Sequence, residues 1–298
     1  MNVFKLLNFF TFVSASKEDR FSKFMRAKYE DKAEELYLEM SDTSQLRILR
    51  TYAKDGTKNG YTILMVAGWG SVVLGWDEVL LEAMKDFDII YLETREKGSS
   101  RLAKKTKNNF DRLSSDVKEV IEKLELNPQK LVLFGSSFGA AVLADGFGNQ
   151  KFDSFLNVLV APAIQIDLPP IIRYLIPIGP HWFMPPFKPL IRWWLKRSKS
   201  ESPEQAAKYI RVMNEAQSKK WKNVVLNFLY WKWWRVYEGV ENDILLVAAE
   251  KDKMHEADVT QKVGKLLKNS TYVNLETNKK THTKPMVDLL REYLKKRE

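Results

Sequence analysis

Two adjacent serines stand in a short stretch bounded by glycines near the middle of the chain. Residues 135–139 read Gly-Ser-Ser-Phe-Gly, which fits Gly-x-Ser-x-Gly with Ser137 at the centre. The preceding residues 131–134 are apolar and the following ones are small, so the stretch predicts a buried strand, an abrupt turn and a helix start. Such a turn projects the central hydroxyl above the edge of a sheet. We therefore predict that Ser137, rather than Ser136, is a nucleophile; the alternative is a tight turn with two ordinary serines.

A serine hydroxyl attacks well only when a base takes its proton and a third group orients that base. The chain has three histidines and no cysteine, which makes the search for the base short. His282 lies between the last predicted strand and the last predicted helix, and Asp252 follows the strand before it. Both positions lie just beyond the carboxyl end of a predicted parallel strand, where open sheets build their sites. We predict a triad of Ser137, Asp252 and His282.

Other ionisable residues compete for these roles. Glu250 is the rival acid, two positions before Asp252 and nearer the strand end, and Asp167 is a weaker rival. His255 is predicted to be a loop or lid-facing residue, and His181, which lies among prolines, is predicted to pack or to touch substrate.

Acyl transfer also needs hydrogen-bond donors for the oxyanion. The backbone N–H of Phe138, directly after the nucleophile, is one candidate. The other is the N–H of Trp69, in a turn that follows the predicted strand at 61–67. Gly68 and Gly70 flank Trp69 and would allow the backbone to approach a substrate. An ordinary glycine turn is the alternative.

The elements that must position these residues alternate between strand and helix. Alternating apolar residues predict a strand at 45–52, and further strand patterns lie at 61–67, 87–92, 131–134, 154–160, 243–249 and 271–275. Helices are predicted at 76–87, 109–126, 259–267 and 284–296. This order predicts an α/β fold with a doubly wound, mostly parallel sheet. The core would comprise residues 45–162 and 240–298, with a helical lid inserted at 163–239. Residues 1–44 read as an N-terminal helical segment.

The lid stretch is apolar, aromatic and basic. Aromatic rings beside cations suit a bilayer interface or an apolar acyl pocket, although large rings also serve simply to pack a lid onto a sheet. We take His181, Trp182 and Trp231 as candidate substrate contacts. The predicted partner is therefore a small-molecule acyl ester or lipid.

Composition limits the partners and the location. The net charge is +10, which favours anionic partners. Because the sequence contains no recognisable nucleic-acid-binding motif, we attribute the charge first to solubility and second to attraction to a membrane surface. Residues 1–16 are apolar and too short to span a bilayer as a helix. They read as a docked helix, a membrane contact or, least favoured, a signal peptide. We expect a cytoplasmic protein, with peripheral membrane contact as the alternative.

Taken together, these motifs resemble those of the α/β-hydrolase superfamily from about Gln45 onward. Residues 93–100, Glu-Thr-Arg-Glu-Lys-Gly-Ser-Ser, resemble the family's Asp-x-Arg-Gly-x-Gly-x-Ser turn but carry Glu93 for aspartate and Glu96 for glycine. The resemblance implies a serine hydrolase with an acyl-enzyme intermediate and no metal or organic cofactor. A ligand-binding member without turnover, or an acyltransferase, thioesterase or carbon–carbon hydrolase on the same triad, remains the alternative.

Overall fold

The computed structural model describes residues 26–104, 106–165, 173–174, 177–181, 184–194, 196–197, 203–229, 231–251 and 257–297. Several predictions fall outside these residues. They concern the segment 1–25 and the side chains of Asp167, Trp182, Asp252 and His255.

The described residues form one sheet of eight strands in the order β1-β2-β4-β3-β5-β6-β7-β8. The strands are β1 Glu34–Glu39, β2 Gln45–Thr51, β3 Thr62–Val66, β4 Asp88–Leu92, β5 Leu131–Ser136, β6 Leu156–Val160, β7 Asp243–Ala248 and β8 Asn269–Asn274. Pairing is antiparallel between β1 and β2 and between β2 and β4, and parallel from β4 through β8. The predicted mostly parallel sheet is confirmed.

Helices connect the strands. They are α1 Asp77–Ala83, α2 Phe110–Lys123, α3 Phe138–Gly148, α4 Met184–Trp194, α5 Pro203–Glu215, α6 Ser218–Phe228, α7 Ala257–Leu266, α8 Asn278–Thr281 and α9 Lys284–Arg297. Asn109 caps α2, where its side chain accepts from the N–H of Arg112, and Pro203 stands at the first position of α5. None of the helices in these ranges has the length and apolar content needed to cross a bilayer.

The sheet buries both faces. Leu64 and Val66 of β3 pack into one core with α2, α3 and α7, whereas Ile63 and Met65 pack into a second core with α1 and α9. Successive side chains of a strand point to opposite faces, so a strand between two helical layers must be apolar throughout. This is the doubly wound arrangement that the sequence predicts.

The predicted helical segment at 1–44 is wrong where the structure describes it as strand. Residues 34–39 form β1, in which Leu36 lies opposite Ile48 and Leu38 opposite Leu46. Leu36 and Leu38 are two positions apart and both pack against the first core, which is the period of a strand. The helical spacing of apolar residues earlier in the segment hid this alternation.

The described part of the predicted lid is helical. Helices α4, α5 and α6 and a short 3-10 helix, Trp233–Val236, lie between β6 and β7, and α4 contacts α5. That these residues act as a lid stays a prediction.

Candidate active site

Ser137 forms the whole turn between strand and helix. Strand β5 ends at Ser136 and α3 begins at Phe138. The backbone of Ser137 has φ 51° and ψ −112°, a conformation that residues with a side chain rarely adopt. Its N–H donates to the carbonyl of Val160 at 2.9 Å, which fixes the turn to β6. Ser136, by contrast, is a buried strand residue with 8% of its surface exposed.

The two glycines around this turn are required by close backbone contacts. A Cβ on Gly139 would lie 2.0 Å from the carbonyl oxygen of Val66, and one on Gly135 would lie 2.8 Å from the Cα of Ala140. No side chain fits at either distance. The pattern Gly-x-Ser-x-Gly therefore reflects how tightly α3 packs against β3 and β5.

The predicted oxyanion turn lies beside Ser137. A Cβ on Gly68 would be 3.1 Å from the Cβ of Ser137 and 3.7 Å from its Oγ. The next residue in the chain, Trp69, carries one candidate N–H. Phe138 is the first residue of α3, where the backbone N–H groups have no acceptor within the helix and form the positive end of its dipole. Both candidate donors thus belong to segments that adjoin the serine.

The Trp69 side chain adds a further donor. Its ring packs against Trp221 of α6, with centroids 4.8 Å apart. The buried indole Nε1 finds no hydrogen-bond partner among the described residues.

The partners of the His282 ring define its tautomer. Nδ1 lies 2.9 Å from the carbonyl oxygen of Asn278 and 2.9 Å from Oγ1 of Thr281. A carbonyl can only accept, and the Thr281 hydroxyl donates to the same carbonyl at 2.7 Å. The proton of the neutral imidazole therefore sits on Nδ1, which leaves Nε2 with the lone pair that a base needs.

Trp76 holds the imidazole ring on its face. The His282 and Trp76 ring centroids are 4.1 Å apart and the planes differ by 26°. Trp76 also packs edge-on against Phe134 of β5, three residues before Ser137. The sequence pattern around Trp76 predicts only the start of a helix. Its proximity to the predicted oxyanion turn was the one available signal of a site role.

The predicted acid lies just outside the described residues. Lys251, the residue before Asp252, donates its N–H to the carbonyl of Glu276 at 2.8 Å. This bond ties the segment after β7 to the segment between β8 and α8, which leads to His282. The rival Glu250 is exposed, and its N–H donates to Oδ1 of Asn274. Asp252 therefore stays the predicted acid.

The turn after β4, which resembles the family motif, is held by buried ion pairs. Arg95 is fully buried and binds Asp116 through Nε at 2.5 Å and Asp42 through Nη1 at 2.6 Å. Glu93 pairs with Arg47 at 3.4 Å and accepts from the Ser99 hydroxyl. The longer Glu93 side chain thus has two buried partners of its own, and the motif residues serve to position the turn.

A small pocket separates this turn from α5 and α6. Its volume of 10 Å³ is room for about one water molecule. Burial raises the pKa of Glu215 at its edge, although Arg211 acts to lower it. The lining residues are Gly70, Val72, Glu93, Lys97, Gly98, Val212, Glu215, Ala216 and Trp221.

The candidate substrate contacts are only partly described. His181 is exposed, and Trp182 lies outside the described residues. Trp231 is 42% exposed and packs against Phe110, 4.9 Å between centroids; Phe110 in turn packs against Phe138. Of the three candidates, Trp231 is therefore linked through Phe110 to Phe138, the residue directly after Ser137.

Comparison with known proteins identifies the fold. No family model matches the chain, and no curated protein matches it. Among solved structures, it is similar to the esterase EaEST from Exiguobacterium antarcticum, with TM-score 0.71, 14% identity and coverage of 87% of this chain and 98% of that one. It is also similar to a membrane phospholipase A described as a bacterial virulence factor, with TM-score 0.66, 12% identity and coverage of 89% and 87%. A third similar structure is the epoxide hydrolase CorEH, with TM-score 0.62, 13% identity and coverage of 88% of this chain and 98% of that one. The chain has the α/β-hydrolase fold.

Proposed function

We propose that the chain is a serine hydrolase that cleaves carboxylic esters through an acyl-enzyme. Ser137 Oγ attacks the acyl carbon while His282 Nε2 takes its proton. The N–H groups of Trp69 and Phe138 stabilise the oxyanion, and the protonated His282 then gives its proton to the leaving alcohol. Water, activated by the same nitrogen, releases the acid. Asp252 orients and stabilises the imidazolium.

The observation that carries the proposal is the positive φ of Ser137 at a one-residue turn with Gly68 against it. Backbone strain of this kind concentrates at functional sites. Plain structural serines need neither the strained turn nor the adjoining glycine loop. The tautomer of His282 adds independent support, because it puts the proton of the neutral ring on Nδ1 and the lone pair of the base on Nε2.

An activity-based probe tests the nucleophile. We expect a fluorophosphonate to label the wild type, and Ser137→Ala to abolish both labelling and turnover of p-nitrophenyl esters. Ser136→Ala is the matched control, which changes a buried strand residue next to the turn and should keep labelling. Labelling that persists in Ser137→Ala would disprove the assignment. Product analysis with ester, thioester and carbon–carbon substrates separates hydrolysis from the alternative reactions.

A matched pair of variants tests the acid. Asp252→Asn should lower kcat by up to about four orders of magnitude, because the imidazolium that forms during the reaction loses the carboxylate that stabilises its charge. Glu250→Gln should keep activity. The reverse outcome would make Glu250 the acid.

The acyl group that we propose is apolar or lipid-like. Support comes from exposed apolar side chains on α4, where Leu190 and Trp193 are each 60% exposed and lie on one face. The opposite face contacts the end of α5, through Lys188 to the carbonyl of Ala216 and Arg192 to Asn214. Activity that falls as the acyl chain lengthens would exclude the lipid-like substrate.

The same face of α4 is our candidate for peripheral membrane contact. Residues 168–200 contain no Asp or Glu. Lys188 and Arg192 bind the end of α5, and the other cations of the stretch are Arg173, Lys196, Arg197 and Lys199. An apolar face beside cations suits an anionic bilayer. We expect sedimentation with phosphatidylcholine vesicles only when they contain phosphatidylglycerol, and loss of binding in Leu190→Ser/Trp193→Ser. Trp234→Ser, at a tryptophan 38% exposed outside α4, is the control; equal loss there would refute this face.

A further inference from the structure

Lys97 is a buried cation in the turn after β4. Its side chain is 6% exposed, and its ammonium lies 3.0 Å from a carboxylate oxygen of Glu96, whose side chain is fully buried. Removing a lysine from water is costly unless specific partners compensate. Residues 96 and 97 belong to the stretch that resembles the family turn, at the point where Glu96 departs from its glycine. Nothing in the proposed reaction yet uses this charge.

The ammonium reaches the predicted oxyanion turn. Lys97 Nζ donates to the carbonyl oxygen of Gly68 at 2.5 Å. That carbonyl belongs to the peptide bond whose N–H is contributed by Trp69, the candidate oxyanion donor. The N–H of Ser71 donates to the same oxygen at 3.0 Å. Two donors on one carbonyl fix the plane of the Gly68–Trp69 peptide.

The geometry has an electrostatic consequence. In a trans peptide the C=O and N–H point in opposite directions, so a donor on the carbonyl lies on the side away from the N–H. A charge-assisted hydrogen bond to the oxygen polarises the amide and strengthens its N–H as a donor. Donors oriented before the reaction contribute most to oxyanion stabilisation. Lys97 thus acts on the donor from the far side of the peptide.

We propose that Lys97 is a positioning residue that orients and polarises the Gly68–Trp69 peptide for oxyanion binding. The inference rests on the proposed function, since it assigns a role within that site. Lys97 contacts the carbonyl side of the peptide and not the N–H assigned to the oxyanion, so its loss should weaken transition-state binding and leave ground-state binding nearly unchanged.

A second lysine, Lys220, also binds the turn after β4 but through other carbonyl groups. Lys220 of α6 donates to the carbonyl of Lys97 at 2.5 Å and to that of Ser100 at 2.6 Å. It holds the same turn through backbone carbonyls, but these bonds do not reach the Gly68–Trp69 peptide. Lys220→Met is therefore the matched control for Lys97→Met, because each variant removes one lysine that holds this turn.

The experiment compares kcat, KM, the affinity of an alkylboronic acid and the melting temperature. A boronic acid forms a tetrahedral anion on the serine and so reports oxyanion stabilisation. We expect Lys97→Met to lower kcat about tenfold, less than the loss of a whole oxyanion donor, and to weaken boronic-acid binding by a similar factor. KM should stay within about twofold, since ground-state binding is unaffected. Lys220→Met should lower the melting temperature and leave kcat and boronic-acid affinity within the same twofold range.

Two further variants keep the test decisive. Lys97→Met leaves Glu96 buried without its cation, so Glu96→Gln/Lys97→Met removes both charges and should show the same kinetic loss if the single variant fails to fold. Lys97→Gln, which keeps a neutral donor, should lose less than Lys97→Met. Unchanged kcat and boronic-acid affinity in the folded Lys97 variants, or an equal loss in Lys220→Met, would overturn the inference. Failure of the wild type to label with a fluorophosphonate would instead overturn the proposed function.

Discussion

The imidazole of His282 stacks on the indole of Trp76, with ring centroids 4.1 Å apart. The two residues are far apart in the sequence, yet the same indole also packs against Phe134 of the strand that leads into Ser137. Trp76 itself is 1% exposed, and its Nε1 donates to the Ser71 hydroxyl. A single buried ring therefore connects the candidate base, the serine strand and the segment that follows Trp69.

This stack predicts a kinetic role for Trp76. An aromatic face favours a cation above it, so the ring should stabilise the imidazolium by about 1 kcal/mol. We expect Trp76→Leu to lower kcat about fivefold per folded molecule, beyond its loss of stability, whereas Trp76→Phe should keep most of kcat. The measurement is kcat corrected for the folded fraction by circular dichroism. Equal kcat in the two variants would remove the aromatic face from the mechanism.

Gly68 should tolerate no side chain without a cost in activity. The methyl group of Gly68→Ala would lie 3.1 Å from the Ser137 Cβ, so either the serine or the oxyanion turn must shift. We expect kcat to fall about tenfold or more, because small displacements of reacting groups are costly, with little change in melting temperature. Gly75→Ala is the control, since its methyl group would meet only the Ser71 Oγ, at 3.6 Å. Wild-type kcat in Gly68→Ala would contradict the close approach.

Arg95 should matter for stability more than any exposed arginine. Replacing it with methionine leaves Asp116, which is 1% exposed, without its main cation. We expect Arg95→Met to lower the free energy of unfolding by about 3–5 kcal/mol, as for other broken buried pairs. Arg50→Met, which breaks the exposed pair with Glu34, should cost at most about 1 kcal/mol. Urea denaturation measures both, and equal losses would refute the buried network.

Local sequence signals predicted most of the fold and part of the site. Strands β2 to β8 lie at or within a few residues of the predicted strands. The signal is clearest for β3 to β7, because nearly every residue in these strands is buried and their sequences are largely apolar. The glycines around Ser137 marked its turn, since close backbone contacts leave no room for a side chain. These signals come from residues close together in the sequence, so they can be recognised without knowledge of the tertiary contacts.

The missed features depend on contacts between distant segments. Strand β1 lies at the edge of the sheet and pairs only with β2. Its six residues show only a short alternation of apolar and polar side chains, which the helical spacing of the preceding apolar residues obscures. The stacking of Trp76 on His282 and the bond from Lys97 to Gly68 join residues from separate elements. No local pattern distinguishes a lysine that faces solvent from one that reaches a buried carbonyl.

Asp42 should make the free energy of unfolding depend on pH in the acid range. Partial burial acts to raise its pKa, but hydrogen bonds from Arg95, Thr106 and the Ser44 N–H hold the pKa well below its ordinary value of 3.8. The unfolded chain therefore binds this proton more readily than the folded one. The stabilisation is present above about pH 4 and is lost as the pH falls toward the folded pKa, by up to about 1.4 kcal/mol per pH unit.

Asp42→Asn isolates this contribution. The variant should be less stable than the wild type at pH 7, because Arg95 loses a charged partner, and the difference should shrink steadily between pH 4 and pH 2. Burial acts in the opposite direction on Asp116, where it raises the pKa despite Arg95 and Arg112, so that group cannot produce the same trend. Urea denaturation at a series of pH values measures the difference. If the difference in free energy of unfolding stays constant from pH 7 to pH 2, then Arg95 does not lower the pKa of Asp42.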